Sequence, residues 1–505
     1  MIAAAIAWLL VPFLAAFITA LAPHQGRPLT LLTSAATVAM AAAISAGWVP
    51  ESLPLLGPLG VVLQPDALAA PFLLVNGLVV AAVVLDGADP GGDPTGGPSP
   101  EPPKGRLPLL ALVLLGALNS AVVAVDLISI YVALELVGVA VMLLLALGND
   151  ERDLWLALRY GLLSNTVMLL FLIGAGLVYL QQGTFALGAA PLAGGVPLAL
   201  LVGALVSKGE LFLAGLWLPR TNAQAPLAVS ALLSGAVVSA GVAPLLRLAA
   251  LTPPLVPVLQ GLGVLCAGLG VVFALAETDL RRLLAWSTLS QMGLVVLWPA
   301  TGALLALAHG LAKAALFLSA RGVPSPDLRA WRQRPLAAAT AVPLLLASGS
   351  IAGVPPLLGF AAKGALEKGA LGPLEPWVAL VGVGTVAVYA RLWGAPVLGL
   401  GTPKEGEADP TAGMGSWSLG ALLLAAALLL LNLCPWVRPA WDALANDGLG
   451  WPLLKTGATV AAGVGLERWL ETRRRPWGLP SLEGLDDLLA ALVLLAAALV
   501  LGLSR

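Results

Sequence analysis

Cysteine and histidine are almost absent from this chain of 505 residues. The two cysteines, Cys266 and Cys434, are far apart in apolar surroundings, and the two histidines are His24 and His309. Iron–sulfur clusters and zinc sites need several thiolate or imidazole ligands in one place. The sequence therefore predicts no cofactor, no metal site and no redox centre of the chain's own.

Charge is the second scarce feature. Charged residues make up 10% of the chain and hydrophobic residues 59%, and the mean hydropathy is +0.95. Soluble domains carry about 25% charged residues, so this composition indicates a protein of the lipid bilayer. The net charge of -1 gives no reason to expect a nucleic-acid partner.

Long apolar runs fill the sequence and predict an all-α, multi-pass membrane protein with about 14 or 15 transmembrane helices. The first run lacks the basic segment of a cleaved signal peptide, so we interpret it as a retained helix. The predicted spans are 1–22, 28–47, 68–86, 107–125, 127–147, 159–180, 196–218, 225–250, 255–276, 283–299, 301–320, 336–358, 377–398, 416–434 and 485–503.

Basic residues predict the orientation of these helices. Up to residue 410, loops after even-numbered helices hold only Arg247 and Lys368, whereas loops after odd-numbered helices are rich in arginine and lysine. The positive-inside rule then places the odd loops in the cytoplasm and the N-terminus outside. Residues 86–106, rich in proline, glycine and aspartate, are expected to form a flexible cytoplasmic connector. The side on which 435–485 lies stays open.

Four ionisable side chains interrupt the apolar runs: Glu135, Lys208, Lys313 and Lys363. A charge at bilayer depth costs about 2.5–3.5 kcal/mol on insertion-based scales, and such residues usually serve proton or ion movement. His309 lies one helical turn before Lys313 and shares its face. The alternative interpretation is a structural salt bridge for Glu135 and Lys208, and a lysine that reaches toward the interface for Lys313. For Lys363 it is a position near the surface, and for His309 an interior histidine with satisfied hydrogen bonds.

A regular spacing relates two of these residues. Lys208 and Lys363 are 155 residues apart, and the same offset carries Glu135 to Ser290, beside Gln291. Many transporters contain two repeats of opposite topology with broken helices at matching positions. The spacing favours such a repeat here.

Several segments between residues 60 and 400 resemble a known family. In chain order they are DLISIYVALELVGVAVMLLLAL, VSKGELFLAGLWLPRTNAQAPLAVSALLSGAVVSAGVAPLLR, ETDLRRLLAWSTLSQMGLVVL, ALAHGLAKAALFL and GSIAGVPPLLGFAAKGAL. They are similar to the proton-translocating antiporter-like subunits of respiratory NADH:quinone oxidoreductase, of its cyanobacterial and chloroplast relatives, of Mrp-type cation/proton antiporters and of membrane-bound hydrogenases.

The resemblance implies a fold and a division of the chain. It implies two inverted five-helix repeats with broken helices 7 and 12. The first three helices and their loop would occupy 1–106, helices 4–8 would occupy 107–250, and helices 9–13 would occupy 251–400. The C-terminal helices and a surface segment would follow in 401–505.

The resemblance also implies roles for the buried charges. Glu135 and Lys208 would form an ion pair in a first half-channel. Lys313, with His309, would relay protons, and Lys363 would serve a second half-channel. Expected partners are other membrane subunits of an antiporter or dehydrogenase complex, the lipid bilayer, and protons with or without sodium. The membrane would be a cell inner membrane or a thylakoid-type membrane.

Some positions depart from the family pattern. Ser234 and Ser239 stand where a lysine or histidine of the eighth helix is expected, Leu213 replaces a proline, and Glu210 is an added acid. These departures leave open a structural subunit that has lost transport. A stand-alone ion-coupled secondary transporter is a separate alternative. An Mrp-type subunit and a dehydrogenase-type subunit also remain alternatives.

Overall fold

The structure is a computed structural model, and it describes most of the chain. The described residues are 2–56, 61–87, 105–148, 150–211, 216–323, 325–329, 336–369, 372–394, 418–434, 437–445, 448–472 and 484–503. Three features of the sequence lie outside these residues: most of the predicted connector 86–106, Leu213 at the family's proline position, and the basic run 473–475.

Helices account for nearly all of the described secondary structure, and most of them fall on the apolar runs. They are α1 (Ile2–Leu21), α2 (Gly26–Ser45), α3 (Ala69–Leu85), α4 (Arg106–Val123), α5 (Leu127–Leu145), α6 (Glu151–Gln182), α7 (Gly195–Lys208), α8 (Leu218–Gln224), α9 (Leu227–Leu232), α10 (Val238–Leu251), α11 (Leu255–Ala276), α12 (Leu280–Leu297), α13 (Pro299–Ser319), α14 (Ala338–Ala352), α15 (Leu358–Lys368), α16 (Glu375–Trp393), α17 (Leu419–Leu430), α18 (Arg438–Ala445), α19 (Gly450–Thr472) and α20 (Leu485–Leu503).

Aspartate caps fix the start of three of these helices. Asp126 accepts a hydrogen bond from the backbone N–H of Ser129 at 2.8 Å, and Asp150 and Asp279 cap α6 and α12 in the same way. Such a side chain satisfies one of the N–H groups that the first helical turn leaves unpaired. Burial raises the pKa of the Asp126 carboxyl, and the hydrogen bonds from Ser129 oppose that shift.

Fewer helices pass a length and hydropathy test than the sequence predicts. Among the described residues, eight helices are long and apolar enough to cross a membrane, or nine if one bent pair counts as a single span. Five further apolar helices are shorter, at 10–17 residues. A helix of only 10–17 residues needs a partner segment to cross about 30 Å of hydrocarbon. The predicted total of 14 or 15 spans therefore stays a prediction.

Two apolar runs are interrupted. The run predicted as one span over 196–218 divides into α7, which ends at Lys208, and α8, which begins at Leu218. The run around 336–368 divides into α14 and α15. Lys208 is the last residue of its first segment, whereas Lys363 lies within the second segment. The two lysines therefore differ in position relative to the interruptions, although a constant offset relates them in sequence.

Helices α9 and α10 form one continuous, buried helical segment. Residues Leu233–Val237 form a π-helical turn between them, so that Leu227–Leu251 passes as one membrane-spanning helix. A π-turn inserts one extra residue into a helix and is frequent at functional sites. This turn contains Ser234, one of the two departures from the family pattern.

A small hairpin was not predicted. Strands Leu53–Leu56 and Val61–Leu63 pair antiparallel, and hydropathy did not separate these short apolar strands from their surroundings. The following residue Asp66 accepts two hydrogen bonds from Arg247 of α10 at 2.6 and 2.8 Å. Arg247, one of the two exceptions to the charge bias of the loops, is therefore a buried helix residue held by an ion pair.

The C-terminal helices pack against the bundle. Helix α19 packs lengthwise along α16, with Thr459 near Gly382 and Gly463 against Val386. The two helices therefore run parallel. Helix α20 packs antiparallel to α7, with Leu499 near Gly203 and Leu492 near Lys208.

Candidate functional site

Lys208 is held by neutral oxygen atoms from two neighbouring helices. Its Nζ donates hydrogen bonds to Ser164 Oγ of α6 at 2.6 Å and to the Leu134 carbonyl oxygen of α5 at 3.3 Å. The side chain reaches these partners because α7 ends at Lys208 and packs against α6. Sequence reasoning missed Ser164, and no local signal marked it.

Glu135 lies near Lys208 but does not form an ion pair with it. It is a partly exposed residue of α5 that interacts with Tyr131 one turn earlier. Among the described residues, no ion pair within 4 Å joins Glu135 to Lys208. Their charges still act on each other. The ion pair that the resemblance implies is therefore open in this structure.

A small cavity surrounds the end of Lys208. Its volume is about 30 Å³, which exceeds the space that one water molecule needs. Its polar lining comes from Tyr160, Ser164, Ser207, Lys208 and Glu210. The C-terminal helix α20 contributes Leu492 to the wall, a contribution that the sequence did not indicate.

Lys313 lies in the centre of the bundle and is fully buried. Its Nζ donates to the Leu284 carbonyl oxygen of α12 and to Tyr389 Oη of α16, the latter at 2.9 Å. Tyr389 Oη in turn shares a hydrogen bond of 2.8 Å with Ser287 Oγ. Three helices thus meet in one polar cluster. Tyr389 was missed, although a tyrosine inside an apolar run is a signal that could have found it.

His309 is buried one turn from Lys313 on α13. Among the described residues, neither ring nitrogen has a hydrogen-bond partner. The next residue, Gly310, packs directly on the π-turn, because a Cβ there would collide with the carbonyl oxygen of Gly235. The predicted relay residue therefore lies beside the π-turn of the neighbouring helix.

The π-turn carries its own polar contact. Asn222 of α8 donates from Nδ2 to Ser234 Oγ at 2.7 Å, and Ser230 Oγ donates to the Asn222 carbonyl oxygen at 3.1 Å. Ser239 is also buried. Sequence reasoning missed Asn222, which lies in the quoted motif LPRTNAQAP. Hydroxyl and amide groups, none of which titrates near neutral pH, occupy this stretch.

Lys363 lines a second, larger cavity of about 70 Å³. Among the described residues, its Nζ has no hydrogen-bond partner. Lys455 of α19 borders the same cavity and forms ion pairs with Glu367 at 2.9 Å and Glu375 at 3.3 Å. The structure thus separates the predicted residues into a Lys208 group, a Lys313 group with His309, and a Lys363 group.

Comparison with known proteins shows the family to which the chain belongs. The family model described as "NADH:quinone oxidoreductase/Mrp antiporter, TM" matches residues 124–388, which is more than half of the chain. Subunit 14 of the NADH-quinone oxidoreductase of Thermus thermophilus is 34% identical over 355 residues, covering 66% of this chain and 79% of that protein.

Two further comparisons, one of sequence and one of structure, indicate the same family. NADH-quinone oxidoreductase subunit N of Desulforudis audaxviator is 32% identical over 284 residues, which span 48% of this chain and 56% of that protein. A chain of the Mrp complex from Dietzia sp. DQ12-45-1b superposes with a TM-score of 0.74 at 26% identity, covering 97% of this chain and 59% of that one. The chain is a multi-pass integral membrane protein that belongs to the NADH:quinone oxidoreductase/Mrp antiporter membrane-subunit family.

Proposed function

We propose that this chain is a proton-translocating, antiporter-like subunit of a multisubunit membrane complex. The main supporting observation is that Lys313, which is fully buried, and Lys208, which is partly buried, are both held by neutral oxygens of other helices. An ammonium group with neutral partners gives up its proton more readily than one locked in an ion pair. Two such groups in one apolar bundle are suited to receiving and releasing protons.

The proposed path follows the three groups along the bundle. Glu135 modulates Lys208, because its carboxylate lies close enough to act on the ammonium charge without pairing with it. Lys313 and His309 form the relay, supported by Tyr389 and Ser287. Lys363 is the store at the second cavity, which Lys455 and Glu367 border. Waters bridge the hydroxyl and amide groups between Asn222 and Ser239.

The proposed organisation keeps two inverted repeats over 107–250 and 251–400, with the N-terminus outside. The burial of Arg247 in an ion pair supports this orientation, since it removes one exception to the charge bias of the loops. The complex is of the dehydrogenase or the Mrp antiporter kind, in a cell inner membrane or a thylakoid-type membrane. The relatives named above support other membrane subunits as partners.

Substitution of the buried lysines tests this function. The full chain, with the subunits that co-purify with it, is reconstituted in vesicles containing a pH-sensitive dye. We expect Lys208→Met and Lys313→Met each to lower proton flux by about a hundredfold, as expected when a proton-transfer group is lost. Lys368→Met, at the exposed end of α15, is the matched control and should keep the flux of the unsubstituted protein.

Wild-type flux in both buried-lysine variants would contradict the proposal and favour a structural subunit. Full activity of the chain purified without any other subunit would instead favour a stand-alone transporter.

A further inference from the structure

Glu210 is a buried carboxylate in the interruption after α7. Its side chain is 0% exposed, and among the described residues neither carboxylate oxygen has a hydrogen-bond partner. Burying an unpaired carboxylate in its charged form costs far more than burying a neutral side chain. A residue that only connected two helices would not need this group.

The backbone at Glu210 is also unusual. Its φ is +57°, and it is the one non-glycine residue with positive φ in the described part of the chain. Glycine adopts this region without penalty, whereas other residues pay about 1–3 kcal/mol. The adjacent Gly209 has a φ of -81°. The strained conformation thus falls on the glutamate although a glycine is next to it, and it directs the side chain into the protein.

Glu210 lies in the same cavity as Lys208 and close to α10. It lines the same cavity of about 30 Å³ as Lys208, and Val237 and Ala240 form another wall of that cavity. The interruption lies directly on α10, because a Cβ at Gly241 would collide with the backbone N of Gly209. Glu210 therefore follows the Lys208–Gly209 backbone that packs on α10, and it shares a cavity with both Lys208 and Ala240 of that helix.

We propose that Glu210 is a second proton-binding residue of the Lys208 cavity, which exchanges a proton with Lys208 through a water molecule. In the forward step the ammonium N–H bond of Lys208 breaks and an O–H bond forms on Glu210, leaving a neutral amine and a carboxylic acid. Both charges disappear together, so the step leaves no uncompensated charge in the apolar bundle. This inference rests on the function proposed above.

In the described part of the chain, few other ionisable groups face Glu210. The cavity lining contains Tyr160 and Lys208 as its other ionisable side chains, and Arg159 precedes Tyr160 on α6. Glu135 acts on Lys208 from α5. A change in the proton flux of a Glu210 variant can therefore be compared directly with variants of these neighbours.

Flux measurements on the reconstituted complex test the inference. Glu210→Gln keeps the shape of the side chain and removes the proton site, so we expect flux to fall by about a hundredfold. Glu210→Asp should restore much of it, because a shorter acid still reaches the cavity water. The matched control is Glu277→Gln, since Glu277 is a partly buried acid at a helix end, bonded to Arg282 and Trp286 and outside this cavity.

The lysine variants separate the two proposals. Wild-type flux in Glu210→Gln, together with lost flux in Lys208→Met, would overturn the role of Glu210 and leave the proposed function standing. Wild-type flux in both variants would overturn both. An equal loss in Glu210→Asp and Glu210→Gln would indicate a purely structural side chain and would also overturn the inference.

If Glu210→Gln fails to fold, an infrared measurement tests whether Glu210 binds a proton. Glutamate carrying a ¹³C-labelled side-chain carboxyl group is incorporated into the Glu135→Gln protein, and spectra are compared at two pH values. We expect a label-shifted carbonyl band of a protonated, buried carboxylic acid whose intensity changes in Lys208→Met. The absence of such a band would contradict the inference.

Discussion

At the scale of single residues, the buried lysines are defined by the neutral groups that hold them. Ser164 holds Lys208, and Tyr389 holds Lys313 while sharing a hydrogen bond with Ser287. A hydrogen bond to a charged group contributes about 1.5–3 kcal/mol, and more is lost when the charge is left unsatisfied in an apolar interior. The hydroxyl partners therefore determine both stability and proton affinity at these sites.

Removing the Tyr389 hydroxyl tests this at Lys313. Tyr389→Phe leaves the buried ammonium with the Leu284 carbonyl oxygen as its remaining partner. We expect a loss of about 2 kcal/mol in the free energy of unfolding, together with a reduced proton flux. Thermal unfolding in detergent and the vesicle assay measure the two effects.

Tyr179→Phe is the matched control, since Tyr179 stacks on Phe185 and is 40% exposed. An equal loss of stability and flux in both variants would show that the hydroxyl of Tyr389 has no special role.

At the scale of elements, the close approach of the π-turn to α13 positions the centre of the proposed path. Gly235 and Gly310 face each other, and a Cβ on Gly235 would come within 2.9 Å of the Ala314 Cβ. Small residues permit such backbone contact between membrane helices. The contact brings Ser234 and His309 to neighbouring positions on two helices that the hydropathy pattern alone does not relate.

A methyl group at Gly310 should separate these elements. We expect Gly310→Ala to lower the free energy of unfolding by about 1–3 kcal/mol, because the new Cβ meets backbone rather than a movable side chain. We also expect lower proton flux, since His309 and the π-turn move apart.

Gly261→Ala is the control for this substitution. Gly261 lies within α11, and a Cβ there would meet nothing within 4 Å. The free energy of unfolding of the Gly261→Ala variant should differ from that of the unsubstituted protein by less than about 1 kcal/mol. Equal effects of the two substitutions, measured by thermal unfolding, would contradict the close-packing argument.

At the scale of the whole molecule, contacts between distant parts of the chain enclose the candidate site. Helix α20, at the C-terminal end, supplies Leu492 to the Lys208 cavity, and α19 supplies Lys455 to the Lys363 cavity. Near the other end, Asp66 after the hairpin joins α10 through Arg247, whose guanidinium also reaches the Gln64 and Val122 carbonyl oxygens. In each contact one partner lies outside residues 124–388, the region that the family model matches, and the other lies inside it.

The Asp66–Arg247 pair should respond as a unit. We expect Asp66→Asn to lower the free energy of unfolding by about 3 kcal/mol, because it leaves the buried guanidinium of Arg247 without its ion pair. Arg247→Met should lower it by less, because Asp66 is only partly buried and keeps its hydrogen bonds from Gln64 and the Ala69 N–H. The double variant should cost less than the sum of the two, as neither charge then remains.

Chemical or thermal unfolding of the four proteins in the double-mutant cycle measures this coupling. Additive effects would mean that the ion pair does not join the hairpin to α10.

Much of the fold was predictable from composition and apolar runs. The predicted span 255–276 coincides with α11, and 485–503 coincides with α20. The paired strands Leu53–Leu56 and Val61–Leu63 and the exact interruption at Lys208 were not predicted, because hydropathy averaged over a span does not register short strands or single-residue backbone changes. For the same reason the positive φ of Glu210 was invisible, although its presence beside Lys208 was noted.

The sequence by itself determined that this chain is a membrane protein, where most of its helices lie, and which charged residues fall within the apolar runs. Hydropathy and scarcity of charge are local properties, so they can be read from the order of residues alone. Only the tertiary structure decided which side chains meet: Ser164 with Lys208, Tyr389 with Lys313, Asn222 with Ser234, and Lys455 with Glu367. Lipid-facing and protein-facing positions on an apolar helix are chemically alike, so packing between helices distant in sequence fixes these contacts.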